Sequence, residues 1–223
     1  MRIALTKYGL PQAVIFPLII AAIIIVCLAK DIISLAIIWG IVLIWILSFF
    51  RDPERTPPAD KNILLAPADG TIRDIEIVDE NNFIGGKALR IGIFLSIFNV
   101  HINRSPCDAK VAKITYKKGK YVDARNPQAG AVNESNDLWL IKTCGPKDKL
   151  IVRQISGAIA RRIVCRAKEN QELAGGEKFG MIKFGSRTEL YLPQQKNAKL
   201  LVKPGDKVKA GLSPLVRYEQ CAD

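Results

Sequence analysis

Residues Gly180-Met181-Ile182-Lys183-Phe184-Gly185-Ser186-Arg187-Thr188-Glu189-Leu190-Tyr191-Leu192-Pro193 set apolar residues on both sides of a glycine–serine pair. Thr188–Leu192 has the length and residue types of a β-strand, closed by a proline. The same texture continues outward. Ala88–Phe94, Lys110–Tyr116, Asp137–Lys142, Leu150–Ser156 and Lys199–Val202 are predicted strands, rich in β-branched residues and bounded by glycine, proline or asparagine. Gly157–Ala167 fits a short helix or a strand equally well. The segment Lys203-Pro204-Gly205-Asp206-Lys207-Val208-Lys209-Ala210-Gly211 reads as a tight turn, a short strand and a second glycine turn. Tyr121–Ala131 shows little periodicity and is expected as a surface loop between strands, a mere connection sooner than a cover over a site. No internal repeat and no second soluble domain is visible, so residues 51–223 are expected to form one mainly β domain.

The beginning of the chain differs. Pro11–Ala29 and Ile32–Phe50 are each 19 residues long, carry no charge and are separated only by Lys30-Asp31. As helix, each spans about 28 Å, against a hydrocarbon core of roughly 30 Å. Residues 1–50 are therefore expected to be a membrane anchor of two helical segments, 11–29 and 32–50. Arg2 and Lys7 precede it and Arg51 and Arg55 follow it. The positive-inside bias then puts both ends, and the domain after them, on the cytoplasmic side of a cell membrane. A hairpin dipping into a single leaflet fits the same residues.

Beyond residue 50 the chain keeps 30 basic and 20 acidic residues out of a total net charge of +12. With an anchor in place and no zinc spacing or aromatic-interleaved basic run, acidic lipid headgroups are the expected partner rather than nucleic acid. The five cysteines are scattered without a Cys-x-x-Cys pair and read as reduced thiols of a cytoplasmic protein.

Gly185-Ser186 is a bond at which a backbone can cut itself. The Ser186 hydroxyl can attack the Gly185 carbonyl because glycine has no side chain to obstruct the approach. His101 is the only histidine of the chain and the natural general base. Asp69 sits in Ala66-Pro67-Ala68-Asp69-Gly70-Thr71, which is also good turn chemistry. Spacing alone does not assemble these residues into a relay.

Taken together, the chain resembles the phosphatidylserine decarboxylases in their short bacterial and archaeal form. The resemblance rests on the hydrophobic start, Phe49-Phe50-Arg51-Asp52-Pro53-Glu54-Arg55, Pro67-Ala68-Asp69-Gly70, Phe98-Asn99-Val100-His101, Gln154-Ile155-Ser156-Gly157 with Ala160-Arg161-Arg162, and Phe184-Gly185-Ser186, in that order. It implies a barrel-sandwich-like, mainly β catalytic domain (51–223) behind an N-terminal α-helical membrane hairpin. It further implies a proenzyme that cuts itself into a large chain, 1–185, and a small chain, 186–223, which stay together as a heterodimer. Asp69 would orient His101, His101 would act as general base and acid, and Ser186 would become a pyruvoyl group that forms a Schiff base with phosphatidylserine. No metal and no pyridoxal phosphate is then expected. Arg187 is a candidate contact for the substrate phosphate or carboxylate, since a guanidinium fork matches both; the alternative is a solvated surface arginine. Longer relatives carry a second histidine where this chain has Phe98, and usually threonine where it has Arg187.

Two other readings compete. Pro67-Ala68-Asp69-Gly70-Thr71-Ile72 and Gly205–Gly211 also resemble the halves of biotinyl and lipoyl carrier barrels, with Met181-Ile182-Lys183 at the place of a modified lysine; an anchored adaptor or carrier would share that scaffold. An ordinary Ser-His-Asp hydrolase would keep its chain whole, and its usual Gly-x-Ser-x-Gly elbow is absent.

Overall fold

Pro11 occupies the first turn of a helix over Leu10–Ala29, where its missing N–H costs nothing. In this computed structural model, which describes residues 3–126, 128–158, 162–183, 185–195 and 197–219, a second helix runs over Ile33–Phe49. The turn between them places Asp31 in the left-handed region at φ 55°. Ala13, Ile20 and Cys27 recur every seven residues and form a narrow buried stripe along the first helix. Leu18, Ile25, Ile41 and Ile44 stay more than 60 % exposed. A helix apolar outside its packed stripe is suited to lipid. Lys7–Ala29 is long and apolar enough to cross a membrane, and Ile33–Phe49 is shorter. The chain divides after Glu54 into two units.

Among the described residues of the second unit, Arg55–Asp223, the regular structure is β except for one turn of helix at Ala129–Val132. Eight strands form one antiparallel sheet, in the spatial order Glu172–Leu173, Ala109–Lys117, Ser135–Lys142, Lys149–Ile155, Ser186–Pro193, Gly86–Leu95, Gly70–Glu80 and Lys207–Val208. The sheet curls into a half-barrel. Two three-stranded sheets complete the unit: one of Ile163–Cys165, Lys178–Ile182 and Ile102–Arg104, the other of Ala198–Leu200, Pro214–Tyr218 and Ile63–Leu65. The long predicted strands lie where expected. Gly157–Ala167, which the pattern left open, contains the strand Ile163–Cys165, while residues 159–161 lie outside the described residues.

The eleven-residue strand Gly70–Glu80 is not apparent in the sequence pattern. A bulge between Ile72 and Asp74 shifts its register, so Ile72 and Ile75, three residues apart, both come opposite core residues, Ile93 and Ile91. One inserted residue breaks the period of two on which a strand is recognised. Tyr121–Ala131 is the expected loop up to its last residues, which begin the short helix.

Alternate residues of the central strands fill the core: Ile91, Ile93 and Leu95, Leu138 and Leu140, Leu150 and Val152, Leu190 and Leu192. In Ser186–Pro193 that alternation puts Ser186 and Thr188 in line with Leu190 and Leu192. Arg187, Glu189 and Tyr191 then project from the opposite face, and every one of these residues is buried.

Candidate active site

Ser186 opens the central strand of the large sheet, paired with Leu95 on one side, while its neighbour Arg187 pairs with both Phe94 and Ile155. Its side chain is fully buried, and its Oγ has no hydrogen-bond partner among the described residues. A buried hydroxyl without a partner is costly and marks a place where something other than stability is served. Gly185 before it has φ +59°, a conformation that side-chain-bearing residues avoid. The Gly185 carbonyl lies against Gly157: a Cβ built on Gly157 would sit 2.0 Å from that oxygen. Gly157 is thus a glycine because the carbonyl next to Ser186 occupies the place of its side chain.

His101 is fully buried. Its Nδ1 lies 2.9 Å from the carbonyl oxygen of Asn99. A carbonyl only accepts, so Nδ1 carries the proton and Nε2 is the basic nitrogen. Asn99 is itself locked, its Oδ1 accepting from the backbone N–H of Ser96 at 2.8 Å and from Ser96 Oγ at 2.9 Å. The Ser96–Asn99 turn therefore fixes the imidazole, a role the sequence did not disclose although its Ser-x-x-Asn spacing is a turn signal.

Two contacts bring this histidine to the serine's neighbourhood. The N–H of Ile182, four residues before Ser186, donates to the His101 carbonyl at 3.1 Å. Asn103 Nδ2 donates to Thr188 Oγ1 at 3.0 Å, joining the two segments two residues beyond His101 and Ser186 respectively. Behind them runs a buried amide chain that sequence reading did not assign: Asn136 Nδ2 donates to Gln154 Oε1 at 3.1 Å, and Gln154 Nε2 donates to Asn103 Oδ1 at 2.9 Å.

Asp69 does not face the imidazole Nδ1. Its two carboxylate oxygens accept from Arg55 Nη1 and Nη2 at 2.5 and 2.8 Å, and Oδ1 also accepts from the Ala210 N–H at 2.8 Å. A bidentate guanidinium satisfies a buried carboxylate better than a neutral ring N–H does, and the imidazole Nδ1 lies against the Asn99 carbonyl instead.

Arg187 is not a solvated surface arginine. Its Nε donates to Glu189 Oε1 at 2.7 Å and its Nη2 to Asp74 Oδ1 at 2.6 Å, with none of the residue exposed. The reason is the strand itself: the residue after Ser186 must point to the other face of the sheet. Burial lowers its pKa, but the hydrogen bond to Asp74 and the charge of Glu189 outweigh this and hold the guanidinium above its ordinary range. Gly92 leaves the space this requires, since a Cβ there would meet Arg187 Nη2 at 2.1 Å. Lys183 is 7 % exposed, and burial, followed by the charge of Arg162, lowers its pKa. A carrier lysine must swing through solvent, and this one does not.

A pocket of about 370 Å³ adjoins Gly185, lined by Phe94, Ser96 and Ile97 on one side and by Asp123, Ala124 and Arg125 on the other. Residues 123–125 of the loop after Tyr121 form part of its wall. A second cleft of about 240 Å³, by Pro57, Lys61 and Cys107, holds none of the candidate residues. Among the described residues no cluster of metal-ligating side chains occurs.

The family profile "Phosphatidylserine decarboxylase" matches residues 42–215. A phosphatidylserine decarboxylase proenzyme of Desulfotalea psychrophila is 47 % identical over 165 residues, covering 74 % of this chain and 75 % of its own. One from Pelagibacter ubique is 43 % identical over 182 residues, 80 % of this chain and 82 % of the relative. One from Symbiobacterium thermophilum is 40 % identical over 185 residues, 83 % and 84 % of the two chains. With its mainly β fold and the Gly185–Ser186 arrangement, the chain belongs to the phosphatidylserine decarboxylase family, whose members are decarboxylating lyases.

Proposed function

We propose that this chain is a proenzyme that severs itself between Gly185 and Ser186, converts Ser186 into a pyruvoyl group, and decarboxylates phosphatidylserine to phosphatidylethanolamine at a membrane. The observation that carries the reading is the buried, unpartnered Ser186 Oγ beside a glycine in the left-handed region whose carbonyl is pressed against Gly157.

In this reading Ser186 Oγ attacks the Gly185 carbonyl carbon while His101 Nε2 takes the hydroxyl proton. The C–N bond breaks and the amide becomes an ester. Removal of the Ser186 α-proton then expels the Gly185 carboxylate by β-elimination, and water releases ammonia from the dehydroalanine that remains. The tautomer set by Asn99 supports His101 as base for the first step. The fold supports retention of the small chain, because residues 186–223 supply the central strand of the large sheet and the strands Ala198–Leu200, Lys207–Val208 and Pro214–Tyr218. Cutting before residue 186 leaves that strand's pairing with Gly86–Leu95 and Lys149–Ile155 in place.

The residues fit the group that would arise, for position 186 lies beside the pocket at Gly185 and is otherwise closed from solvent. A pyruvoyl carbonyl condenses with an amine and accepts the electrons left when carbon dioxide departs, which no ordinary side chain can do. The chain's part is to exclude water there and to hold the imidazole where it can return a proton. The apolar helices at the start keep such a site close to a lipid substrate, with the second unit on the cytoplasmic side by the charge rule.

Intact mass measurement of protein purified from membranes tests this. The expected result is two chains, the smaller spanning residues 186–223 with a blocked, ketone-bearing end that reacts with hydrazine reagents. A single full-length chain would end the proposal.

A further inference from the structure

The pocket beside Gly185 opens through a rim that has the chemistry of a membrane surface contact. Phe98, at the tip of the turn that fixes His101, is 70 % exposed. Tyr121 and Val122 are 42 % and 36 % exposed, directly before the lining residues Asp123 to Arg125. Phe98 in turn directly follows the lining residue Ile97, so each apolar group adjoins a segment that lines the pocket. An aromatic side chain left largely in water at the tip of an ordered turn is unfavourable unless another medium receives it.

The charges beside these apolar groups are mostly basic, with Asp123 the acidic exception. Lys117, Lys118 and Lys120 are exposed immediately before Tyr121. Arg125 is offset by its ion pair with Asp123 at 2.6 Å. Arg73, also exposed, lies over the Phe94 ring at 5.2 Å, on the pocket wall. Exposed apolar side chains with lysines beside them are the composition that binds an anionic interface, the rings entering the headgroup layer and the ammonium groups meeting anionic lipid.

We propose that this rim of the second unit, Phe98 with Tyr121 and Val122 and the lysines at 117, 118 and 120, docks directly onto the surface of an anionic phospholipid bilayer. The docking places the mouth of the Gly185 pocket against the headgroups. It rests on the reading of that pocket as the lipid site, and it concerns a surface of the second unit, distinct from the hydrophobic helices of the first. A soluble polar partner fits less well, because it offers no apolar medium for Phe98.

The full chain in nanodiscs decides the matter by hydrogen exchange. Discs of phosphatidylglycerol and phosphatidylcholine are compared with discs of phosphatidylcholine alone. Amides of residues 96–100 and 117–125 are expected to exchange several-fold more slowly in the anionic discs, and to lose that protection at high salt. Equal exchange in the two discs overturns the proposal. Decarboxylation gives a second readout. The double substitution Lys118→Glu/Lys120→Glu should lower the rate on phosphatidylserine in vesicles about tenfold relative to the rate on a short-chain, monomeric phosphatidylserine. An equal fall on both substrates assigns the loop to the chemistry and overturns docking. A wild-type chain inactive on both would remove the decarboxylase reading, and the exchange measurement would still decide the docking.

Discussion

Arg55 and Asp69 form a two-pronged ion pair, 2.5 and 2.8 Å, with 7 % and 10 % of their side chains exposed. Arg55 Nη1 also donates to the Ala210 carbonyl at 2.7 Å, and the Ala210 N–H donates to Asp69. Three distant segments meet there: the linker after the helices, the Asp69 turn, and a segment downstream of Ser186. Removing one partner of such a pair strands the other, at a cost of about 3–5 kcal/mol. Arg55→Ala should therefore lower the denaturant midpoint of detergent-solubilised protein strongly. If Asp69 acts through this junction, Asp69→Asn and Arg55→Ala should slow self-cleavage to similar extents. A much larger effect of Asp69→Asn, followed on gels, would show instead that the carboxylate reaches His101 directly.

Ser186→Ala should leave a single 24.7 kDa chain with no decarboxylase activity, because no oxygen nucleophile remains beside the Gly185 carbonyl. His101→Ala should accumulate the same species. Normal processing of the histidine variant, seen as release of the 186–223 chain by mass spectrometry, would take the base assignment away.

Gly157→Ala tests the close approach at the scissile carbonyl. Its Cβ would sit 2.0 Å from the Gly185 oxygen, so one of the two segments must shift. A displacement near 1 Å at a reacting carbonyl costs on the order of a hundredfold in rate. Cleavage followed by pulse labelling should show this, whereas Gly86→Ala, with nothing within 4 Å of its Cβ, should process at the wild-type rate.

Gln154→Ala removes the middle of the buried amide chain and leaves polar atoms of Asn103 and Asn136 without their partner. The expected loss is about 1–3 kcal/mol, read from equilibrium unfolding. A variant as stable as the parent would show that water replaces the amide.

Cys107 provides the pH test. Burial pushes its thiol from an ordinary 9.0 up to about 12, with Lys142 pulling in the opposite sense. Native protein should resist iodoacetamide at this residue near pH 8, and unfolded protein should react. Between those two values the native state holds a proton that the unfolded state has lost. This contribution to stability is thus complete below about pH 9 and disappears as pH rises toward 12. Rapid alkylation of native Cys107 would contradict its burial.

Much of the architecture was legible because strands announce themselves through side chains. Ala88–Phe94, Lys110–Tyr116 and Leu150–Ser156 carry enough β-branched residues between turn formers to be recognised, and two uncharged 19-residue runs have few interpretations in water. Gly70–Glu80 escaped because a bulge disturbs its alternation, and Ile102–Arg104 and Lys178–Ile182 because three to five residues carry no period. In the site, Ser186 and His101 were visible as chemical types. Arg55, Asn99 and Gly157 were not, since what each does depends on a backbone atom or a carboxylate far away in sequence.

By itself the order of residues determined the apolar start, the β character of the remainder, the family and the presence of the Gly185-Ser186 pair, all of which follow from local composition and motif. Only the tertiary structure decided which partner each polar group received. Asp69 took Arg55, His101 took the carbonyl of Asn99, and Arg187 was carried to the far face of the sheet by the two-residue period of the strand that holds Ser186. The physical reason is that a buried polar group must find its match among whatever the packed chain brings within about 3 Å, and sequence spacing does not encode that distance.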